Sequence, residues 1–195
     1  MADDCTRKPT RLVLLDRDGV VNFDSSEYVK SPAEWRPIPG SLSAIAALNA
    51  AGIYVALCSN QAGIGRGLFS PRDLATIHVR FATELAAAGG HIDLWRYCPH
   101  GPATNCACRK PASAMLTDAM AELQVAPEAT LFIGDSSKDM AAAIAVGCGG
   151  ILVRSGKSAE HTRMNEAATR ALGIEHVVDD LSQATALISR LNLQS

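Results

Sequence analysis

Short apolar runs alternate along the chain with stretches in which alanine and polar residues recur at helical spacing. Arg11-Leu-Val-Leu-Leu-Asp16, Ile53-Tyr-Val-Ala-Leu-Cys-Ser59, Thr130-Leu-Phe-Ile-Gly-Asp135 and Gly150-Ile-Leu-Val-Arg154 are continuous rather than alternating. Such runs suit parallel strands covered on both faces. Residues 92–98 read as a weaker fifth strand, and His176-Val-Val-Asp179 as a short edge strand. Helices are expected over 41–51, 70–88, 113–123, 137–146, 159–172 and 181–191. The second opens on Ser70-Pro71, an N-cap followed by a first-turn proline, and stops before Gly89-Gly90. Strand and helix in repeated order imply an α/β fold: a doubly wound, mainly parallel, Rossmann-like sheet. With no internal repeat or linker, residues 1–195 read as a single domain. Ligands of such sheets bind beyond the carboxyl ends of the strands. Asp16, Ser59, the Cys98 region and Asp135 all follow strands, so they are expected on one rim.

Composition narrows the classes. The chain has 195 residues, 48% apolar and 19% charged, enough to bury one core. Its 18 basic and 20 acidic residues argue against a nucleic-acid binder that relies on bulk charge. Residues 1–10 are polar, and no apolar run approaches a membrane span. The expectation is a cytoplasmic protein without a membrane partner. Six cysteines in a reducing compartment are thiols or metal ligands rather than a disulfide framework.

Asp16-Arg-Asp-Gly19 directly follows the first strand, and Gly134-Asp-Ser-Ser-Lys-Asp139 follows another and opens a helix. Gathering Asp16, Asp18 and Asp135 would be strongly repulsive unless a cation lay among them or protons were taken up. Oxygen ligands with retained waters suit Mg2+. Taken singly, each motif could equally be a solvated turn.

Asp16-Arg-Asp-Gly-Val-Val-Asn22, Ser59-Asn-Gln61, Arg109-Lys-Pro111 and Gly134-Asp135 with Asp139 resemble, in order, the four motifs of the haloacid dehalogenase superfamily. The resemblance implies a fold without a large cap domain and a phosphatase passing through an aspartyl-phosphate. Asp16 would be the nucleophile. Asp18 would protonate the leaving oxygen and then activate water. Mg2+ would be held by Asp16, the Asp18 main-chain carbonyl and Asp135. Ser59 and Lys110 would hold the phosphoryl oxygens, with Asp139 as a supporting partner of Lys110 or of a metal-bound water. Ser59 stands where relatives often carry threonine; either supplies a hydroxyl. Asn60 and Gln61 are expected as amides lining the substrate pocket.

Cys98-Pro-His100 and Cys106-Ala-Cys108 place three thiols and an imidazole within eleven residues. This inventory suits a closed, structural Zn2+ site, and Cys108 directly precedes Arg109 and Lys110. Within the superfamily, such a loop resembles two branches, one acting on D-glycero-D-manno-heptose 1,7-bisphosphate at its 7-phosphate and one on histidinol phosphate. The stretch Asn60-Gln-Ala-Gly-Ile-Gly-Arg-Gly-Leu-Phe69 resembles the heptose branch. That branch serves bacterial cell-surface polysaccharide. Arg66 and Arg109 are then candidates for the second phosphate, and Asp24 and Glu27 for the sugar. Glu27 also suits the positive charge of histidinol phosphate. Two further classes stay open: a sugar-phosphate-binding module without turnover, and a phosphatase acting on nucleic-acid ends. The intact set Asp16, Asp18, Ser59, Lys110 and Asp135 speaks against the first, and the lack of a basic or aromatic track against the second. A monomer is expected.

Overall fold

The computed structural model describes residues 8–156, 159–174 and 176–194, with the side chains of 159–163 left out. Cys5 and the side chain of His161 lie outside this set. The elements run β1 (Leu12–Leu15), α1 (Ser41–Ala50), β2 (Tyr54–Asn60), α2 (Ala62–Gly65), α3 (Pro71–Ala87), β3 (Leu94–Cys98), α4 (Ala114–Glu122), β4 (Thr130–Gly134), α5 (Ser137–Ala145), β5 (Gly149–Val153), α6 (Ala159–Ala171), β6 (Val177–Val178) and α7 (Leu181–Leu193).

The strands pair in the order β3-β2-β1-β4-β5-β6, and every pairing is parallel. The order reverses between β1 and β4, which is where an open α/β sheet forms its ligand crevice. The continuous apolar runs are explained by burial on both faces. Val13, Leu15, Val55, Leu57, Leu131 and Ile133 pack with Ile45, Leu48, Phe81, Leu85 and Ile188 from α1, α3 and α7. Leu12, Leu14, Ala56 and Phe132 face Met115, Leu116, Ala142 and Ala143 from α4 and α5. All of β1 is buried, so no polar position interrupts it.

Helix starts follow local capping chemistry. Ser70 accepts from the Asp73 main-chain N–H while Asp73 accepts from that of Ser70, a capping box with Pro71 in the first turn. Ser136 and Asp139 form the same box at α5. Three short elements were not expected from the sequence pattern: α2, and 3-10 turns at Pro32–Glu34 and Pro127–Ala129. Each is too short to show an apolar period.

Candidate active site

The ends of β1, β2 and β4, and the residues that follow them, open on one cleft of about 400 Å³, whose wall includes Asp16, Asp18, Ser59, Asn60, Gln61, Asp135 and Asp139. Neighbouring strands lie about 5 Å apart, so residues leaving three adjacent strand ends converge without help from distant loops.

Lys110 sits beneath this cluster, 1% exposed. Its Nζ is 3.0 Å from Asp16 Oδ1 and 2.7 Å from Asp139 Oδ1. Burial works against a charged amine, but the carboxylates of Asp139 and Asp16 outweigh it and raise the affinity of Lys110 for its proton. Asp139 is oriented by its helix start: its Oδ2 accepts from Ser136 N–H at 3.1 Å and from Ser136 Oγ at 2.6 Å. The capping box of α5 therefore aims the other oxygen at Lys110.

Asp16 and Asp18 meet different surroundings. Burial pushes the Asp16 carboxyl up to about 6; Lys110 opposes this, while Asp139 and Asp18 add to it. Burial acts on Asp18 as well, but the Arg17 guanidinium and the amides of Asn22 and Gln61 outweigh it and hold Asp18 below the usual carboxylate range. Arg17, fully buried, donates to Asp18 from Nε at 3.1 Å and from Nη2 to both carboxylate oxygens at 2.9 Å. Asn22 Nδ2 donates to Asp18 Oδ1 at 2.8 Å, and Gln61 Nε2 to Asp18 Oδ2 at 3.0 Å.

The carboxylate oxygens of Asp16, Asp135 and Asp139 lie within 4.8 Å of one another, and together they could hold a metal ion. Asp139 Oδ1 pairs with Lys110 and its Oδ2 accepts from Ser136. An all-oxygen set fits a hard divalent cation. Backbone crowds Asp135 closely: a Cβ on Gly19, whose φ is +85°, would lie 2.4 Å from Asp135 Oδ2, and one on Gly156 would lie 2.0 Å from the same atom. Only glycine fits at either position.

The second cluster is the thiol loop. Cys98, Cys106 and Cys108 place their sulfurs 3.2, 3.6 and 3.7 Å apart, and His100 Nδ1 is 3.5 Å from Cys98 and 3.3 Å from Cys108. All four donor atoms lie within 4.8 Å of one another and together could hold a metal ion; two of the three sulfur–sulfur distances are near the edges of about 3.6–3.8 Å of a tetrahedral site with metal–sulfur bonds of about 2.3 Å. Burial and the neighbouring thiols push Cys98 up to about 12. At Cys106 desolvation is outweighed by donors, chiefly the Arg109 N–H, and the thiol falls to about 7.

Several expected site residues stand elsewhere or do other work. Asn60 lines the cleft, but its amide bonds both main-chain groups of Lys110. Arg109 turns its guanidinium to the His100 carbonyl, 3.3 Å away, and does not line the cleft. Arg66 is exposed on the rim, its guanidinium carbon 5.7 Å from the ring centroid of Tyr28, which does line it. Asp24 borders the cleft, whereas Glu27 borders a neighbouring hollow with Lys30, Glu34 and Arg36. Sequence reasoning missed Arg17, Asn22, Tyr28, Lys138 and Asn165. Lys138 is a cation in the cleft wall. Asn165 donates to the Asp135 carbonyl at 3.0 Å and accepts from Ser137 N–H at 3.3 Å, pinning the corner that carries Asp135. Arg17 and Asn22 lay inside a motif already singled out; nothing in the polar stretch around Asn165 marked it.

A crevice at the switch point, with strand-end carboxylates around a buried lysine, defines the class of protein, and comparison with known proteins agrees. The HAD-hydrolase-like family profile matches residues 107–184. The chain belongs to the haloacid dehalogenase-like phosphatases, which are phosphoric monoester hydrolases. Its relatives carry a more particular name. It is 46% identical over 147 residues to the D-glycero-beta-D-manno-heptose-1,7-bisphosphate 7-phosphatase of Pseudomonas putida, covering 75% of this chain and 84% of that one. It is 47% identical over 146 residues to the enzyme of the same name from Bordetella bronchiseptica, covering 75% and 82%. The crystal structure of D,D-heptose 1,7-bisphosphate phosphatase from B. bronchiseptica with magnesium and phosphate superposes with a TM-score of 0.85 at 40% identity, covering 93% of this chain and 99% of that one. The corresponding enzyme from Burkholderia thailandensis gives 0.68 at 34% identity, covering 92% and 99%.

Proposed function

We propose that this chain hydrolyses the 7-phosphate of D-glycero-D-manno-heptose 1,7-bisphosphate through a phosphate ester on Asp16. The reading is supported by one cleft that gathers Asp16, Asp18, Ser59 and Asp135 over Lys110, in a chain that covers most of relatives named for that reaction.

Asp16 Oδ1 is held by Lys110 and by the Arg17 N–H at 2.8 Å, which fixes the carboxylate while Oδ2 attacks phosphorus. The P–O bond to the sugar breaks as the P–O bond to Asp16 forms. Arrival of the anionic phosphoryl group raises the proton affinity of Asp18, which takes up a proton from solvent and gives it to the departing sugar oxygen as that oxygen leaves phosphorus. Asp18 then takes a proton from water, whose oxygen attacks phosphorus and breaks the bond to Asp16, releasing inorganic phosphate. Ser59 and Lys110 hold the phosphoryl oxygens during both transfers. Mg2+, bound by Asp16 and Asp135 with the Asp18 carbonyl, supplies charge neutralisation that lets one anion approach another.

Cys98, His100, Cys106 and Cys108 would hold Zn2+ as a structural ion, and the loop it would close leads directly into Lys110 beneath the cleft. The second phosphate of the substrate meets cations at the mouth: Lys138 in the wall and Arg66 on the rim beside Tyr28. Asp24 and the hydroxyls of Ser25 and Ser26 border the sugar's path. Glu27, the residue that would suit the cation of histidinol phosphate, stands outside this wall. The protein works as a monomer in the cytoplasm.

Phosphate release with Mg2+, compared among heptose 1,7-bisphosphate, histidinol phosphate and a generic ester, tests the proposal with Asp16→Asn as control. Preference for histidinol phosphate would overturn the substrate, and release unaffected by Asp16→Asn would overturn the chemistry.

A further inference from the structure

Gln61 occupies the N-cap position of α2, yet its side chain makes no capping bond there. It is 3% exposed and turns inward instead. Nε2 donates to Asp18 Oδ2 at 3.0 Å and to Ser59 Oγ at 2.8 Å, which uses both amide protons. Its main-chain N–H donates to the Cys98 carbonyl at 2.8 Å, so the residue is anchored on the last residue of β3.

The polarity of these contacts is determined by chemistry. An ionised carboxylate only accepts, so the nitrogen end of Gln61 must face Asp18. Ser59 Oγ then accepts from Gln61, and its single proton is left for a different acceptor. On the other side of Asp18, the indole of Trp35 donates to Asn22 Oδ1 at 3.0 Å. Because an indole N–H cannot accept, Asn22 is forced to present its amine to Asp18. Among the residues assigned to the reaction, the side chains of Asn22 and Arg17 bond only Asp18. Of these three side chains, that of Gln61 also bonds Ser59, a group that faces phosphate.

We infer that Gln61 is a positioning residue that ties the carboxyl of Asp18 to the hydroxyl of Ser59, so that one amide sets both proton delivery to the leaving oxygen and donation to the phosphoryl group. This rests on the roles proposed above for Asp18 and Ser59. A cap or packing residue would affect all substrates alike. A residue that places the acid matters most where the leaving oxygen needs a proton.

The test measures kcat/KM for a sugar phosphate and for para-nitrophenyl phosphate, whose leaving group departs with little protonation, in wild type, Gln61→Ala, Gln61→Glu and Asp18→Asn. Gln61→Ala is expected to lower the value for the sugar phosphate by about tenfold or more and that for the aryl ester by less than about threefold. Gln61→Glu, which sets a carboxylate against Asp18, loses at least as much, and Asp18→Asn shows the same selectivity more strongly. Equal losses on both esters in Gln61→Ala, or none, with an active wild type, would overturn this inference alone. Thermal midpoints lowered by more than about 10 °C in both Gln61 variants would mark a structural role and overturn it too. Wild-type protein that cleaves neither ester would overturn it together with the proposed function.

Discussion

Asn60 brackets the main chain of Lys110. Its Oδ1 accepts from the Lys110 N–H and its Nδ2 donates to the Lys110 carbonyl, both at 3.1 Å. The ion pairs of Lys110 with Asp16 and Asp139 thus depend on a backbone position set from the end of β2. Removing this clamp leaves two partly buried main-chain groups unpaired, a cost of about 1–3 kcal/mol. Asn60→Ala is therefore expected to raise KM and to lower kcat/KM by about 10- to 100-fold, with a modestly lower thermal midpoint. Steady-state kinetics beside a melting curve checks this, and unchanged kinetics would show that Lys110 holds its place unaided.

Gly156 tests the metal assignment from the other side of the cleft. A methyl group there would lie 2.0 Å from Asp135 Oδ2 and 2.7 Å from the Gly19 Cα, so the carboxylate must move. Gly156→Ala is expected to weaken Mg2+ binding by about tenfold or more, read by calorimetric titration of the ion and by the Mg2+ concentration at half-maximal activity. Unchanged values in both would remove Asp135 from the metal site.

His78 offers a pH dependence of stability rather than of turnover. Its ring lies 4.5 Å from that of Trp95, and burial, with a smaller contribution from Arg17, depresses its pKa to about 4. In the unfolded chain the imidazole titrates near its ordinary value of 6.5. Between these values the unfolded chain takes up a proton that the folded one refuses. The stability held above pH 6.5 is therefore lost as pH falls toward 4, by at most about 3 kcal/mol. His78→Phe should flatten that stretch relative to wild type in urea unfolding at a series of pH values. Parallel curves would show that the ring titrates normally.

Removal of the loop metal should act on substrate binding as well as on folding. A metal bound only by the folded chain stabilises it by mass action, and Cys108 lies two residues before Lys110. Protein verified as zinc-free, assayed with excess Mg2+, is expected to melt lower and to show KM raised by about tenfold, with full recovery on adding zinc. Full activity and an unchanged melting curve would refute the structural role.

Most of the fold was legible because the four continuous apolar runs serve as central or near-central strands, where burial on both faces removes the ambiguity of alternation. Asp16, Ser59 and Asp135 were legible for the same reason, since each marks where an apolar run stops. What a side chain bonds once there was not legible. Asn60 and Gln61 were expected to meet substrate, yet their amides meet Lys110, Asp18 and Ser59. Trp35 stacks on Phe81 with ring centroids 5.1 Å apart. Its indole N–H also orients Asn22, a contact thirteen residues apart that no local pattern announces. Asn165 reaches Asp135 across thirty residues.

The central place of β1 between β2 and β4 divides the labour of the molecule. The residues that make and break bonds stand on three strands locked together by main-chain pairing, where a change of register would disrupt the whole interior. The segments at 24–34 and 66–68 carry no part of that pairing and none of the residues bonded to Asp16, Asp18 or Ser59. They can therefore be reshaped by insertion or exchange to admit a different alcohol while the phosphorus chemistry beneath is inherited intact.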